Sequence, residues 1–286
     1  MSEDRKLAED WWTTSIIKMH PGTIRLRGYA IEELIGNLSF VETVWLMLRG
    51  ELPSKGQARL LEAALVAGVD HGPQAPSIAV ARIAITGGVG INGAMASAIN
   101  TLDDVHGGAG EQAVELYTEI AELAATMGAQ QAAASLLERR REAGDKYVPG
   151  FGHRFHPVDP RAPRILRLIE EAVEAGIVDG NILAAARAVE AHLATGRSKP
   201  IPMNVDGATA VLYAELGFAP ALCRGLFVLS RSVGILAHAH EESLSGKRNK
   251  GPIPRQWLWT YDGAEDRDFP REDAVEPHDP LARPRG

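Results

Sequence analysis

The sequence predicts an all-α fold. Through most of the 286-residue chain, apolar residues recur every three or four positions, which is the spacing of one face of an α-helix. Strand signals are few. Residues 23–27 alternate between apolar and polar side chains, and this predicts half of a short hairpin. Helices must therefore supply the core and the framework of any site.

Two helices are predicted near the N-terminal end, at residues 31–36 and 39–49. Ser39 followed by Glu42 has the spacing of a capping box, in which the two side chains satisfy backbone N–H groups at a helix start. Residues 50–54 contain glycine and proline and end this helix. Ser54 then stands where it can cap the next helix.

The remaining helices follow from the same periodicity. Residues 75–102 are rich in alanine and glycine, which predicts closely packed buried helices. Residues 111–142 predict one or two helices. Four more are expected at residues 159–175, 180–195, 207–216 and 220–244, the last of them deep in the core. The tail at 263–286 is rich in charge, proline and glycine and is expected to be extended or loosely ordered.

Composition excludes several classes of protein. The chain carries 30 basic and 37 acidic residues, a net charge of −7, and no basic stripe, which argues against a nucleic-acid partner. The lone Cys223 lies in an apolar helical pattern and is expected to be a buried, inert thiol in a reducing compartment. No segment approaches the ~20 apolar residues of a membrane span. The expected location is the cytoplasm, with no membrane association.

One glycine-rich turn, Val148-Pro149-Gly150-Phe151-Gly152-His153, holds a histidine. Arg161 follows at the start of a predicted helix. The pattern predicts a histidine fixed beside an anion site; the simpler alternative is a turn with a surface histidine.

A second histidine, His106, ends a helical pattern and precedes Gly107 and Gly108. Glycines let the backbone pass close to a ligand, and the helix that starts near Glu111 offers free N–H groups. The alternative is a C-capping glycine beside a histidine of no function.

Asp206 follows Asn204 and Val205 at the start of an apolar helix. It is interpreted either as the N-cap of that helix or as a partly desolvated carboxylate, whose pKa and strength as a base are raised.

Two further charged sites are candidates. His71 lies between two predicted helices. Arg231 lies inside the long apolar helix, where a buried cation must meet a protein carboxylate or an anionic substrate. The run from His238 to Glu242 has the composition of a metal site. However, His238 and His240 do not share a helix face, so no metal is predicted.

Taken together, these segments resemble the citrate synthase superfamily, which includes the citryl-CoA lyases and the C-terminal module of ATP-citrate lyase. The resemblance covers roughly residues 23–262. The motifs that carry it stand in the family's order: Arg27-Gly28-Tyr29, Asp70-His71-Gly72, His106-Gly107-Gly108, Gly152-His153-Arg154 with Asp159-Pro160-Arg161, Asn204-Val205-Asp206 and Ser230-Arg231.

The resemblance implies roles for three catalytic residues. Asp206 would remove a proton from the acetyl methyl group of acetyl-CoA. His106 would donate a hydrogen bond to the enolate oxygen. His153 would polarise and finally protonate the carbonyl of a 2-oxo acid, and in the reverse reaction it would take the hydroxyl proton.

It also implies binding residues and an assembly. His71, Arg161 and Arg231 would hold the carboxylate and keto groups of a 2-oxo dicarboxylic acid. The backbone at Val148, Gly150 and Gly152 would lie along coenzyme A. The family's fold is helical, with a large domain expected at 1–107 and 207–262, a small domain at 108–206, the tail at 263–286, and a homodimer or larger even oligomer.

One departure bears on the substrate. Ile253 stands where the family commonly has an arginine that binds a substrate carboxylate across the dimer; Arg248 and Arg255 are the candidates to replace it. The short length and the Asp70–Pro73 segment favour citryl-CoA cleavage to acetyl-CoA and oxaloacetate. The alternatives are condensation, as in citrate or 2-methylcitrate synthase, and a non-catalytic relative that binds a CoA ester.

Overall fold

The computed structural model describes residues 3–254 and 256–269, apart from the side chains of Glu3 and Arg5. It confirms the all-α prediction. In this part of the chain the helices are α1 Glu3–Trp11, α2 Ile31–Leu34, α3 Phe40–Arg49, α4 Lys55–Gly68, α5 Pro76–Thr86, α6 Ile91–Ile99, α7 Ala109–Met127, α8 Ala129–Glu142, α9 Arg161–Glu174, α10 Asn181–Ala194, α11 Val205–Glu215 and α12 Pro220–Leu244.

A small antiparallel sheet precedes α2. Its strands are β1 Ile17–His20, β2 Thr23–Leu26 and β3 Tyr29–Ala30, in the order β1-β2-β3. The predicted hairpin is therefore confirmed, and a short third strand extends it. The Arg27 guanidinium donates hydrogen bonds to the carbonyl oxygen of Met47, at 3.1 Å from Nε and 2.6 Å from Nη2, and so ties the sheet to α3.

Local signals fixed the helix starts that had been predicted from caps. The hydroxyl oxygen of Ser39 accepts from the Glu42 N–H and that of Ser54 from the Gln57 N–H, and both capping boxes are complete. The long pattern at 111–142 is two helices, because Gly128 adopts a φ of +82° that interrupts the helical backbone. α7 begins at Ala109, two residues ahead of the predicted start.

The buried apolar residues form two clusters. The larger joins α4 with α7, α8, α9, α10 and α11; the smaller joins α5, α6 and α12. α12 contacts α4, α5, α6 and α7 and thus links both clusters. The prediction that this helix lies in the core is confirmed for its buried face, which includes Cys223, Leu226 and Ile235.

Contrary to the sequence expectation, α12 is long and apolar enough to cross a membrane by length and composition. A single such helix is weak evidence for a span, because the core helix of a globular protein meets the same criterion. α12 also buries the charged side chains of Arg231 and Glu242.

The chain forms two compact units, Met1–Lys250 and Gly251–Gly286. In the described part of the second unit there is neither helix nor strand, and Trp257 and Trp259 are exposed. Most of the tail predicted at 263–286 lies outside the described residues. The division of the first unit into a large and a small domain stays a prediction.

Candidate active site

The candidate residues lie where helices end or begin. His71 is on the α4–α5 connection, His106 on the α6–α7 connection and His153 on the long connection between α8 and α9. Asp206 lies in the first turn of α11, and Arg231 is midway along α12. Connections between helices can place side chains from distant parts of the chain around one space.

The glycine-rich turn before His153 is bonded to the segment that leads into α11. Asn204 donates from its backbone N–H to the Gly150 carbonyl oxygen and from Nδ2 to the Gly152 carbonyl oxygen, at 2.9 and 2.7 Å. The Gly152 N–H donates to the Pro202 carbonyl oxygen at 2.9 Å. Gly150 and Gly152 have φ values of +83° and +78°, which L-residues with side chains rarely adopt.

These bonds bear on the role predicted for the backbone at Val148, Gly150 and Gly152. The carbonyl oxygens of both glycines and the N–H of Gly152 are already engaged within the protein. What the glycines offer a ligand is therefore close approach of the backbone. Their place beside coenzyme A stays a prediction.

The imidazole of His153 is held in one tautomer. Its Nδ1 atom accepts hydrogen bonds from the backbone N–H groups of Phe155 and His156, both at 3.1 Å. A nitrogen that accepts cannot carry the hydrogen, so the neutral ring carries it on Nε2. Burial lowers the pKa of His153, which favours this neutral form. His153 thus presents an N–H donor at Nε2.

His71 lies against that donor. The Nε2 atoms of His71 and His153 are 3.1 Å apart. Because His153 carries its hydrogen on Nε2, the Nε2 atom of His71 is the acceptor of this hydrogen bond. Burial, aided by the positive charge of Arg161, lowers the pKa of His71. The loop is braced by Asp70, which accepts from the Gly72 N–H at 3.0 Å and has its Oδ1 atom 3.3 Å from the Nε2 atom of His238.

His106 shows the opposite tautomer. Its Nε2 atom accepts from the backbone N–H of Ser77 at 3.2 Å, so the neutral ring carries its hydrogen on Nδ1. Burial, aided by the positive charge of Arg231, lowers the pKa of His106. The reading of His106 as a histidine beside a C-capping glycine is therefore incomplete, because its ring is fixed by a residue 29 positions away.

The loop around His106 is clamped by Arg224. Its guanidinium pairs with Asp103, Asp104 and Glu111, which lie on both sides of the histidine. These pairs hold the pKa of Arg224 above its ordinary value. Sequence reasoning did not identify this arginine, because its partners lie more than a hundred positions away along the chain.

Asp206 is not the N-cap of α11. Asn204 takes that position, and its Oδ1 accepts from the Gly207 N–H at 3.1 Å. The capping interpretation of Asp206 was wrong because two polar residues within three positions offered the same signal. Among the described residues no side chain donates a hydrogen bond to the Asp206 carboxylate. Burial raises its pKa, against the opposing charges of Arg161 and Arg231.

Arg161 is bound to a carboxylate of the protein. Its Nε and Nη2 atoms donate to the two carboxylate oxygens of Asp159, both at 2.9 Å. Asp159 is buried and also accepts from the Val205 N–H at 3.0 Å, so it joins α9 to the start of α11. Burial opposes its ionisation, but these hydrogen bonds prevail and hold the pKa of Asp159 below its ordinary value. The sequence motif contained Asp159, but its role was missed.

Arg231 is 5% exposed and has no carboxylate partner within salt-bridge distance among the residues described. Its Nε donates to the Gly68 carbonyl oxygen at 3.0 Å, and its guanidinium lies 5.0 Å from the centre of the Phe227 ring. Of the two partners that the sequence left open, no described protein carboxylate pairs directly with Arg231, although the charges of Asp206 and Asp70 act on it from farther away. A buried unpaired cation favours an anionic ligand.

A third histidine, missed by sequence reasoning, joins the pair. Ring nitrogens of His71, His153 and His156 lie within 4.8 Å of one another, close enough to hold a metal ion. The sequence signal that could have revealed His156 is its position three residues after His153. The donor set fits a metal poorly, because one nitrogen of His153 carries hydrogen and the other accepts two backbone N–H groups. The absence of a metal stays a prediction.

The remaining candidates do not extend this site. His238 is 3.3 Å from Asp70 and also bonds to Arg82 at 2.9 Å, which gives it structural partners. Arg248 is exposed, Ile253 belongs to the second unit, and Arg255 lies outside the described residues. Which basic residue replaces the arginine absent at Ile253 stays open.

A family model and solved structures relate this chain to the same family. The family model "Citrate synthase, C-terminal domain" matches residues 5–59 and 54–255. Citryl-CoA lyase from Hydrogenobacter thermophilus is 32% identical and has a TM-score of 0.79; the match covers 91% of this chain and 97% of that one. ATP citrate lyase from Methanothrix soehngenii, solved with citrate and coenzyme A, has the same fold at 19% identity, with a TM-score of 0.74 over 96% of this chain and 46% of that one.

Curated relatives include citrate synthases. That of Acidithiobacillus ferridurans is 30% identical over 239 residues, which is 82% of this chain and 58% of the relative. That of Haloferax volcanii is 31% identical over 225 residues, which is 78% of this chain and 55% of the relative. The chain thus spans little more than half the length of these two enzymes.

Proposed function

The chain belongs to the citrate synthase family, and we propose that it cleaves citryl-CoA to acetyl-CoA and oxaloacetate through an enolate. One observation carries the proposal. His106 and His153 are held in opposite neutral tautomers. With them are Asp206, whose pKa burial raises, and Arg231, which has no direct carboxylate partner among the described residues. Enolate chemistry needs donors, an acid and an anion site of this kind.

His106 and Asp206 act on the acetyl part of citryl-CoA. Cleavage of the carbon–carbon bond leaves an electron pair on the carbon beside the thioester, and the negative charge develops on the thioester oxygen. The Nδ1–H of His106 is the donor for that oxygen. Asp206, whose pKa is raised by burial, gives its proton to the carbon and completes acetyl-CoA.

His153, together with Arg231, Arg161 and His71, acts on the oxaloacetate part of citryl-CoA. The hydroxyl of citryl-CoA becomes the ketone of oxaloacetate, and the Nε2–H of His153 is the donor for that oxygen. Arg231 is the partner for a substrate carboxylate, because it is buried and has no carboxylate within reach in the described chain. Arg161 keeps some donor capacity beyond its pair with Asp159, and His71 adds a polar contact.

Condensation of acetyl-CoA with oxaloacetate is the second candidate, favoured by identities of 30% and 31% to curated citrate synthases. The same groups serve both directions, because forward and reverse reactions share one transition state. Cleavage is preferred because the similarity to the citryl-CoA lyase runs through 97% of that chain. We further propose a homodimer or larger even oligomer, located in the cytoplasm and acting only on small molecules.

The direction is tested with the purified protein and two substrate mixtures. With citryl-CoA, we expect stoichiometric oxaloacetate, detected through malate dehydrogenase, and no free thiol. With acetyl-CoA and oxaloacetate, rapid release of the CoA thiol without citryl-CoA cleavage would support citrate synthesis instead. Binding of CoA esters without turnover of either mixture would identify a non-catalytic relative.

A further inference from the structure

Cleavage of citryl-CoA requires a group that accepts the proton of the substrate hydroxyl. We propose that this group is the Nε2 atom of His71, with His153 as the hydrogen-bond donor beside it. The inference rests on the proposed function and assigns a step within it. It gives His71 a catalytic role in addition to substrate binding, and it leaves His153 no role as the proton acceptor.

The first argument is that His153 has no free nitrogen lone pair. Two backbone N–H groups, from Phe155 and His156, point at Nδ1 from 3.1 Å. Moving the hydrogen to Nδ1 would set it against both of these donors and leave them unsatisfied. The hydrogen therefore stays on Nε2, and a nitrogen that carries hydrogen cannot take another proton from the substrate.

The second argument is that His71 supplies the missing lone pair at the same place. Its Nε2 atom is 3.1 Å from the Nε2 atom of His153 and accepts from it when no substrate separates them. Burial and the nearby positive charges lower the pKa of His71, so the lone pair is available near neutral pH. A substrate hydroxyl that displaces this contact, with the two rings moving apart to admit its oxygen, would accept from His153 and donate to His71.

The third argument is that the His71 loop is braced. Asp70 accepts from the Gly72 N–H, and its Oδ1 lies 3.3 Å from the Nε2 of His238. His238 in turn bonds to Arg82, which pairs with the fully buried carboxylate of Glu242. A chain of polar contacts thus runs from the core to the loop. A base must be positioned to be effective, and this chain provides the positioning.

The step balances without any further reactant. The hydroxyl proton passes to His71, and the electrons of the O–H bond form the carbonyl of oxaloacetate. The carbon–carbon bond breaks, and its electrons form the enolate, whose oxygen accepts from His106. Asp206 protonates the enolate carbon. The enzyme is left with a protonated His71 and an ionised Asp206, and exchange with water restores both groups.

The test is His71→Gln in the 286-residue chain, with His20→Gln on the exposed strand β1 as the matched control. Glutamine keeps polar contacts to a substrate but cannot act as a base. For His71→Gln we expect kcat of citryl-CoA cleavage to fall at least 100-fold while KM changes less than threefold. The acidic limb of the kcat–pH profile should disappear. His20→Gln should match the wild type.

The same variant can overturn the inference. If His71→Gln raises KM tenfold or more and leaves kcat within threefold, His71 only holds the substrate. If instead the wild type does not cleave citryl-CoA at all, the proposed function fails, and the assigned step fails with it.

A second measurement does not depend on turnover. Nitrogen-15 NMR of labelled protein distinguishes ring nitrogens that carry hydrogen from those that do not. We expect the hydrogen of His153 on Nε2 and that of His71 on Nδ1 at neutral pH. A hydrogen on Nδ1 of His153 would free its Nε2 lone pair and overturn the inference, whatever the activity of the protein.

Discussion

Backbone N–H groups of three residues fix the tautomers of two candidate histidines. The N–H of Ser77 makes Nε2 of His106 an acceptor, and the N–H groups of Phe155 and His156 do the same for Nδ1 of His153. The two rings therefore present their hydrogens through different nitrogens. The Ser77 hydroxyl also lies 3.0 Å from Nε2 of His106, and each ring keeps one N–H donor on its other nitrogen.

The role of Asp206 as acid and base is tested by Asp206→Asn. Asparagine fills the same volume but exchanges no proton, so we expect kcat to fall at least ~100-fold. Exchange of the acetyl-CoA methyl protons with deuterium, measured by proton NMR, should fall equally. The control is Asp179→Asn, which changes an exposed carboxylate before α10. Activity within about tenfold of the wild type would disprove the assignment.

Arg231→Met should separate stability from function. Methionine removes a buried cation that has no described carboxylate partner, so we expect the melting temperature to stay constant or rise. Affinity for oxaloacetate should fall tenfold or more in isothermal titration, because the buried anion site is lost. A large drop in melting temperature with unchanged oxaloacetate binding would mean that Arg231 is structural.

At the scale of elements, α11 and the glycine-rich turn form one unit. Asn204 caps α11 and bonds to Gly150 and Gly152, while Asp159 binds the Val205 N–H from the side of α9. The two segments also touch directly, since a Cβ added to Gly207 would overlap the Gly150 carbonyl oxygen. Asp206, whose catalytic role is proposed, and His153 are thus held at a fixed separation by backbone contacts.

Two glycine substitutions test this contact. In Gly207→Ala the new methyl group also meets Met203 Cγ at 2.7 Å, and we expect a loss of about 3 kcal/mol in the free energy of unfolding. Gly225→Ala is the control, because its Cβ meets nothing within 4 Å and it lies inside α12. It should stabilise the protein by about 0.5–1 kcal/mol. Urea unfolding of both variants measures the difference; equal stabilities would refute the contact.

At the scale of the whole molecule, burial shifts the pKa values of several titratable groups. Burial lowers the pKa values of His71, His106 and His153, while that of Asp206 is raised. The three histidines come from separate connections of the first unit. The stability of the fold therefore depends on the protonation states that the proposed chemistry requires.

The free energy of unfolding should fall as the pH drops below about 6.5, the ordinary histidine value. The unfolded chain binds protons there while the three folded histidines resist them, so protonation favours unfolding. Urea unfolding at pH 7.5 and 5.5 measures the loss. The variant His106→Asn should show a shallower fall. Because the raised pKa of Asp206 acts in the opposite direction, the comparison is made in the Asp206→Asn variant, where equal stability at the two pH values would contradict the direction of the histidine pKa shifts.

The sequence by itself determined the helical class, the capped starts of α3 and α4 and the candidate histidines and Asp206, because periodicity and capping act over a few residues. It did not determine which of Asn204 and Asp206 caps α11, since both offered the same local signal. Asp159, His156 and Arg224 acquire their roles from partners that only the fold brings close. Tertiary structure alone decided which nitrogen of each histidine carries hydrogen, because that depends on where backbone N–H groups point once the chain has folded.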